Sequence, residues 1–317
     1  MQTSTRSREA TRARRMRPPP AARWRFPPAQ AIACLLILLG VCVLLYPQTA
    51  SWFAQREQSR ATESAQERLE APPADDPGYR AEQIELAREY NDALSSGALL
   101  KANTPVATGE GDLAKGSPAY DELLDPTGTG FMGRLQYPSL GIDLPIYHGT
   151  ADKTLRKGVG HLEGTSLPVG GAGTRAVLTA HRGLPESTLF THLDRAEVGD
   201  TFTISVLDEV LTYRIFEKQV VDPADTEEIL ADPDRDLVTL VTCTPLGINS
   251  HRILVTAERV TPTPPSDIRA AATHPDLPGF PWWAVGVGVA ATLLTAYVAW
   301  AGRARHTGSV QPRRSST

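Results

Sequence analysis

The chain has 317 residues, of which 41% are hydrophobic and 21% are charged, a composition that suits one or two globular domains. Its charge is unevenly distributed, since residues 1–30 hold eight arginines and one acid, and residues 303–317 hold four arginines. The remaining chain holds 20 basic and 35 acidic residues, a net charge of about −15. This acidic middle argues against nucleic-acid binding, which requires a basic surface.

A first transmembrane segment is predicted directly after the N-terminal tail of residues 1–30. The uncharged run starts at residue 31 and extends to residue 54, and about 20 such residues cross a bilayer. A cleaved signal peptide is the alternative, because a basic region precedes the apolar run. Gln48 occupies a position where the cleavage pattern ending at Ala50 requires a small residue, so an uncleaved anchor over residues 31–54 fits better.

Residues 55–119 are predicted to form an external stalk, a helix and a loop. The stalk is rich in Glu, Arg, Gln, Ala and Pro, and it ends at residues 76–78. Residues 81–94 place apolar side chains at helical spacing, which predicts a helix. Residues 95–119 contain mainly loop-forming residues, and their length suits either a functional lid or a linker.

Residues 120–260 have the pattern of an all-β domain, with short β-branched and apolar runs separated by Gly, Pro and Asp. Seven or eight strands in this length favour a closed barrel, which leaves no exposed sheet edge. Short helical turns are predicted at residues 153–157 and 189–193. Two glycine-rich stretches, 158–160 and 170–173, are interpreted as turns, because neither lies in the strand-to-helix unit of a phosphate-binding loop. The candidate strands are residues 133–137, 144–148, 175–179, 201–206, 210–221, 237–243 and 252–260.

A second transmembrane helix is predicted at residues 280–302, after a Pro-rich linker at 261–279. Trp and Tyr residues near the ends of this run favour the headgroup level of a bilayer. The basic tail at residues 303–317 follows it, so both basic tails should lie on the cytoplasmic side. The sequence therefore predicts a two-pass membrane protein whose middle part is extracellular and whose partner is the lipid bilayer.

The chain has three cysteines, and only Cys243 lies in the predicted external part. Cys34 and Cys42 fall within the first span, where small apolar residues of a helix are favoured over lipidation sites. Cys243 thus has no partner for an intrachain disulfide. An odd thiol in an exported domain indicates intermolecular pairing or a reactive group.

The predicted hairpin around Cys243 brings a basic residue to the thiol. Cys243 ends one apolar strand, and the next strand begins at Arg252. A hairpin of this size places the two side chains roughly opposite each other, on one face. A guanidinium in that position can lower the pKa of the thiol or stabilise an oxyanion, whereas without this context Arg252 would be interpreted as a solvated surface charge.

Acyl transfer by a thiol also requires a group that protonates the leaving amine, and histidine suits this task. His181 follows the strand at residues 175–179 as Cys243 follows its own strand, so both can lie at one end of the barrel. Pattern alone leaves His148, His161 and His251 as alternatives. A structural zinc site is less consistent with the sequence, because close-paired ligands are absent around the single external cysteine.

Several segments resemble the sortase family of cysteine transpeptidases. Residues 239–245, which read TLVTCTP, and 249–252, NSHR, are similar to its active-site segment, and residues 178–183, LTAHRG, to its histidine segment. Residues 144–150 and 158–166 resemble stretches typical of the pilin-assembling class C subgroup. The resemblance covers roughly residues 80–260, and its motifs are specific.

The resemblance implies a mostly β fold, an eight-stranded sortase-type β-barrel with an N-terminal helix and short peripheral helices, flanked here by the two predicted transmembrane helices. It implies that Cys243 cleaves an LPXTG-like sorting signal through a thioacyl intermediate. His181 would be the general acid and base, and Arg252 the stabiliser of the oxyanion or substrate. The acyl acceptor would be an amine, a pilin lysine in class C or a peptidoglycan precursor in housekeeping enzymes. No cofactor and no metal are predicted.

One departure bears on the subgroup. Class C sortases usually carry a lid with an Asp-Pro-aromatic motif between the first helix and the barrel, whereas residues 102–106 here read ANTPV. Asp125-Pro126 lies close to the first strand and is a poor replacement. A housekeeping sortase that attaches surface proteins to the cell wall therefore remains an alternative.

Two further alternatives follow from the residues alone. A membrane-bound cysteine peptidase would use the same chemistry with water as the acceptor. A non-enzymatic adhesion or assembly module would hold Cys243 as an inert buried thiol.

Overall fold

The computed structural model describes residues 24–69, 76–94, 119–185, 187–225, 227–275 and 278–303. Its contacts divide the chain into two compact units. One unit takes its described residues from Met1–Leu44 and Ala284–Thr317, and the other from Leu45–Trp283. The barrel lies in the second unit.

Two long apolar helices pass the criteria for membrane spans by length and composition. The first, α1, runs over Pro28–Leu69, and the last, α5, runs over Trp282–Ala301. The predicted polar stalk at residues 55–80 is thus helical as far as Leu69. Its Ala, Glu, Gln and Arg residues all have high helix propensity, which explains why the helix continues past the apolar run.

Helix α2 runs over Pro77–Ala93, so the helix predicted at residues 81–94 is present and begins one turn earlier. Asp76 is its N-cap and accepts a hydrogen bond from the Gly78 amide, while Pro77 occupies the first turn. Ile84, Ala87 and Tyr90 form its buried face.

The eight strands form a closed barrel in the order β1-β2-β3-β4-β7-β8-β6-β5. This confirms the predicted eight-stranded barrel. Two of the neighbouring pairs, β2 with β3 and β4 with β7, are parallel, and the others are antiparallel. The strands are β1 (Phe131–Tyr137), β2 (Ile142–His148), β3 (Val159–His161), β4 (Thr174–Thr179), β5 (Thr201–Val206), β6 (Glu209–Val221), β7 (Asp236–Thr244) and β8 (His251–Val260).

The interpretation of residues 158–160 as a turn was wrong, because β3 begins at Val159. Three residues are too few to show an alternating pattern, so the strand had no periodic signal. Gly160 is required there, since a Cβ would collide with the Gly149 carbonyl. The turn predicted at residues 170–173 is present, and Gly170 has a positive φ of 70°.

Sequence patterns along the strands match their places in the barrel. In β5, Phe202, Ile204 and Val206 are buried and alternate with more exposed residues, as expected for a strand with one face on the core. In β7, every residue from Leu237 to Cys243 is buried. Such a strand is covered on both faces, which holds its end rigidly.

The shorter helices lie between and after the strands. Helix α3 (Asp152–Leu155) and a 3₁₀ helix at Leu193–Arg195 lie close to the two predicted helical turns. Helix α4 (Pro265–Ala271) lies in the Pro-rich linker, where no helix was predicted. Further 3₁₀ helices occur at Tyr120–Glu122, Pro138–Leu140 and Glu227–Ile229.

Candidate active site

Cys243 lies at the end of β7, and its register partner in β8 is Arg252. This is the pairing that the hairpin length predicts. Side chains directly opposite each other in an antiparallel ladder share a face, so the guanidinium extends from the same face as the thiol. Both residues are nearly buried, with 6% of Cys243 and 3% of Arg252 exposed.

His181 lies beside the same strand end, on the other side of β7. Strands β4 and β7 run in parallel with Thr179 opposite Val241, so the next two steps place His181 level with Cys243. Hydrogen bonds continue this alignment past the end of β4. The Thr242 hydroxyl donates to the Ala180 carbonyl at 2.8 Å. One residue beyond His181, the Arg182 guanidinium donates to the Thr244 hydroxyl. The three predicted residues thus lie side by side, with His181 just after β4, Cys243 in β7 and Arg252 in β8.

Two opposing effects set the pKa of the Cys243 thiol. Burial raises its pKa, and the positive charge of Arg252 lowers it, with burial the larger effect. The pKa is therefore raised overall, although the sequence suggested that the guanidinium could lower it. The backbone carbonyls of Asn249 and His251 accept hydrogen bonds from Arg252 Nη1, both at 3.0 Å, which fixes the guanidinium at the hairpin.

Asp152 is a site residue that the sequence reasoning missed. Its Oδ1 lies 3.2 Å from His181 Nε2, and its Oδ2 accepts a 2.8 Å hydrogen bond from Arg156. The hydrogen bond from Arg156 has the largest effect on the pKa of Asp152, which it lowers, and the hydrogen bond from His181 lowers this pKa as well. Asp152 is therefore ionised. A helical turn was predicted at 153–157, directly after Asp152. A local sequence pattern gives no sign that Asp152 contacts a histidine 29 residues away.

Arg182 also holds the site together, and the sequence reasoning did not single it out. Its guanidinium donates to the Thr244 hydroxyl at 3.0 Å and to the Thr191 carbonyl at 3.2 Å. It also forms a 2.9 Å ion pair with Asp194. These bonds connect the end of β7 with the loop after β4, so they fix His181 relative to Cys243.

The other histidines that were considered lie in different environments. His161 is fully buried, and its ring contacts the Tyr120 hydroxyl at 2.9 Å and the Ser166 carbonyl at 2.8 Å. Burial lowers its pKa to about 4, so it is neutral at physiological pH. His148 contacts the Gly130 carbonyl, and His251 is exposed. His181 alone among these four follows β4 at the level of Cys243.

The predicted lid stretch at residues 102–106 lies outside the described residues. Asp125, the other acid considered for a lid motif, forms a turn before β1. Its carboxylate accepts hydrogen bonds from the amides of Thr129 and Gly130 and from the Thr127 hydroxyl. These bonds assign Asp125 a structural role in that turn.

Comparison with known proteins identifies the class to which this barrel belongs. The family model described as "Sortase domain" matches residues 135–260. The structure resembles sortase C-1 from Actinomyces oris, with 44% identity and a TM-score of 0.52, covering 58% of this chain and 99% of that one. It also resembles Streptococcus pneumoniae sortase C, with 37% identity and a TM-score of 0.57, covering 65% of this chain and 99% of that one.

The chain belongs to the sortase family. Among curated proteins it is 31% identical to sortase D of Bacillus subtilis over 132 residues, which are 41% of this chain. The match spans 64% of the length of that relative. The structural neighbours include class C sortases, as the sequence resemblance implied.

Proposed function

We propose that the protein is a membrane-anchored cysteine transpeptidase that cleaves an LPXTG-like sorting signal and transfers the acyl group to an amine. The observation that carries the proposal is that His181, just after β4, Cys243 in β7 and Arg252 in β8 lie at the same level at one end of the barrel. A nucleophile, a proton-transfer group and a fixed cation are what acyl transfer from a peptide bond requires.

In the proposed first step, the Cys243 thiolate attacks the carbonyl carbon of the Thr–Gly bond. Arg252 donates hydrogen bonds to the resulting oxyanion, and its fixed position means that little reorganisation is needed. The C–N bond then breaks, and protonated His181 delivers a proton to the departing glycine amine. A thioester on Cys243 remains.

In the proposed second step, the acceptor amine attacks the thioester. His181, now neutral, takes the proton that the amine loses, and the C–S bond breaks to release the thiolate and a new amide. The raised pKa of Cys243 means that little thiolate is present without substrate. A buried thiol of this kind is protected from side reactions until the site is occupied.

The proposed acceptor is a pilin lysine, so that the product would be a covalent pilus polymer. The similarity to class C enzymes supports this, since the pneumococcal sortase C among them is described in terms of its pilin substrate specificity. The housekeeping alternative, with a peptidoglycan precursor as acceptor, is favoured by one observation, namely that residues 102–106 lack the Asp-Pro-aromatic lid motif.

The proposed topology has two membrane passes and an extracellular barrel. Two helices are long and apolar enough to span a bilayer. Trp24, which precedes α1, donates a hydrogen bond to the Ala299 carbonyl near the end of α5. The N-terminal end of α1 and the C-terminal end of α5 are therefore adjacent, which supports two antiparallel passes with both basic tails on one side of the bilayer.

The central test replaces Cys243 with Ala in the full-length protein. Incubation with an LPXTG-type peptide should give a thioacyl adduct on Cys243 in the parent protein, read by mass spectrometry, and none in Cys243→Ala. Cys42→Ala is the matched control, because it removes a cysteine from the predicted span and should leave the adduct unchanged. A Cys243→Ala protein that still cleaves the peptide would contradict the assignment.

The acceptor separates the proposal from its alternatives. Adding an amine should divert the acyl group to a new amide, whereas a peptidase would give only the hydrolysed acid. A non-enzymatic module would form no adduct with any sorting peptide. A lysine-bearing pilin fragment and a peptidoglycan-like amine, supplied together, would show which acceptor is preferred.

A further inference from the structure

A cluster of aromatic and arginine side chains lies where α1 leaves its apolar segment. The aromatic–arginine cluster consists of Trp52, Phe53, Arg56, Arg60 and Trp283, all in the unit that contains the barrel. These residues line an open cavity of about 500 Å³. None of them is among the residues proposed to carry the transpeptidase chemistry.

The aromatic side of this cavity is a packed unit. The Trp52 ring lies 5.1 Å from that of Phe53 and 6.2 Å from that of Trp283, measured between ring centroids. The Trp52 indole donates a 2.7 Å hydrogen bond to the Gly279 carbonyl, which fixes the segment before α5 against α1. Trp rings favour the headgroup level of a bilayer, because the indole has an apolar body and a polar N–H.

The basic side of the cavity carries a net positive charge. Trp52, Arg56 and Arg60 are spaced four residues apart on α1 and therefore share one helix face. The Arg56 guanidinium lies 5.3 Å from the centre of the Trp52 ring. Neither arginine forms an ion pair with another residue in the described part of the chain. Glu57 also lines the cavity, so one acid stands against two arginines.

The position of the arginines along α1 matches the depth of lipid phosphates. Phe53 is the last large apolar residue of the first span, and Arg56 and Arg60 follow it by about 5 Å and about 10 Å of helix. The polar layer on each side of a bilayer is about 5–8 Å thick. Helical side chains point towards the N-terminus, so both guanidinium groups extend back towards the proposed membrane surface.

Trp283, which lines the cavity, carries an unsatisfied hydrogen-bond donor. Its Nε1 is buried and has no hydrogen-bond partner among the described residues. A buried donor without an acceptor costs free energy, which an oxygen of a bound ligand would recover. Guanidinium groups bind phosphate oxygens with paired hydrogen bonds, so a phosphate is the ligand that best matches this set of donors.

We propose that the aromatic–arginine cluster binds the phosphate headgroup of an anionic membrane lipid in the external leaflet. This inference rests on the membrane topology of the proposed function but not on its chemistry. Two sources share the headgroup chemistry, an anionic phospholipid and a lipid-linked pyrophosphate. Binding of either would hold the barrel at a fixed height and angle above the bilayer.

The test measures lipid retention by the full-length protein with native mass spectrometry. Protein is extracted from vesicles of equal parts phosphatidylglycerol and phosphatidylcholine, and a second arm adds undecaprenyl pyrophosphate. We expect retention of the anionic lipid over phosphatidylcholine, reduced roughly fivefold by Arg56→Ala and by Arg60→Ala. Trp283→Phe keeps an aromatic ring but removes the N–H, and we expect a loss of lipid retention of roughly threefold to tenfold.

Arg68→Ala is the matched control, because Arg68 lies in the last turn of the same helix and outside the cavity. It should leave lipid retention unchanged. The proposal is overturned if phosphatidylcholine is retained as well as the anionic lipids, or if Arg68→Ala loses as much lipid as Arg56→Ala. Whichever anionic lipid is retained in competition identifies the source of the phosphate.

The same measurement in Cys243→Ala separates this inference from the proposed enzyme activity. Lipid retention should be unaffected in that variant, since the thiol is not part of the cluster. If no transpeptidation were found in any protein, the lipid result would still support or overturn the lipid site.

Discussion

The surroundings of Cys243, the proposed nucleophile, raise the pKa of its thiol. Burial at the end of β7 disfavours the thiolate, and only the charge of Arg252 opposes this effect. A thiol in this state is less reactive towards small reagents than an exposed one. The balance between the two effects can therefore be measured through the pH dependence of thiol labelling.

Replacing Arg252 with Ala should raise the pKa of Cys243 further. Loss of the positive charge disfavours the thiolate, so the labelling profile should move to higher pH. Arg252→Lys should give a smaller shift, because the charge is kept. Labelling is measured with a small alkylating reagent across the pH range, and Arg214→Ala, an exposed arginine on β6, serves as control. An unchanged profile in Arg252→Ala would mean that the guanidinium does not act on the thiol.

Asp152 is proposed to position His181 through the contact between its carboxylate and Nε2. Asp152→Asn should lower kcat by about tenfold, a part of what general acid–base catalysis contributes, and leave KM unchanged. Arg156→Ala removes the ion pair between Arg156 and Asp152 but keeps the carboxylate beside His181, so it should lower kcat by less. Steady-state transpeptidation gives both constants, and a change in KM with constant kcat would refute the positioning role.

At the scale of elements, one buried arginine fastens the linker to the barrel. Arg134 on β1 forms two 2.6 Å bonds with the Asp143 carboxylate on β2. Its Nη1 also donates to the carbonyls of Ala271 and Thr273, at the end of α4. The Arg134 side chain is buried, with 3% of it exposed. The connection to α5 is thus held on the barrel wall.

Arg134→Ala should therefore destabilise the barrel and release α4. Loss of one partner of a buried ion pair costs about 3 kcal/mol, because the other partner and the two carbonyls lose their hydrogen bonds. The comparison is Arg235→Ala, which breaks a half-exposed pair with Glu258 and should cost about 1 kcal/mol. Denaturant unfolding measures both, and limited proteolysis should cut residues 261–275 faster only in Arg134→Ala. Equal losses of unfolding free energy in the two variants would contradict the proposed role of Arg134.

At the scale of the whole molecule, the proposed topology places the barrel and both tails on opposite sides of a bilayer. The only native cysteine proposed to be external is Cys243, so a Cys243→Ala background permits accessibility mapping. In intact cells an impermeant maleimide should label Ser266→Cys, an exposed position in α4, but not Ser309→Cys in the C-terminal tail. Labelling of the tail position would contradict the two-pass arrangement.

The sequence alone determined the features that depend on neighbours in the chain. Uninterrupted apolar runs predicted α5 and the apolar part of α1, and short runs of β-branched and apolar residues predicted seven of the eight strands. The pairing of Cys243 with Arg252 was also predictable, because a short hairpin fixes its own register. Local patterns left several histidines as candidates for the proton-transfer group. The family motifs then supported His181 over the others.

Only the tertiary structure decided the features that depend on contacts between distant segments. Barrel closure places β4 beside β7 in parallel, and this brings Ala180 and Thr242, 62 residues apart, into hydrogen-bond contact. The same closure brings Asp152 to His181 and buries Cys243 so deeply that desolvation outweighs the charge of Arg252. Periodicity reports which face of an element is apolar, but desolvation and long-range pairing depend on what packs against that face.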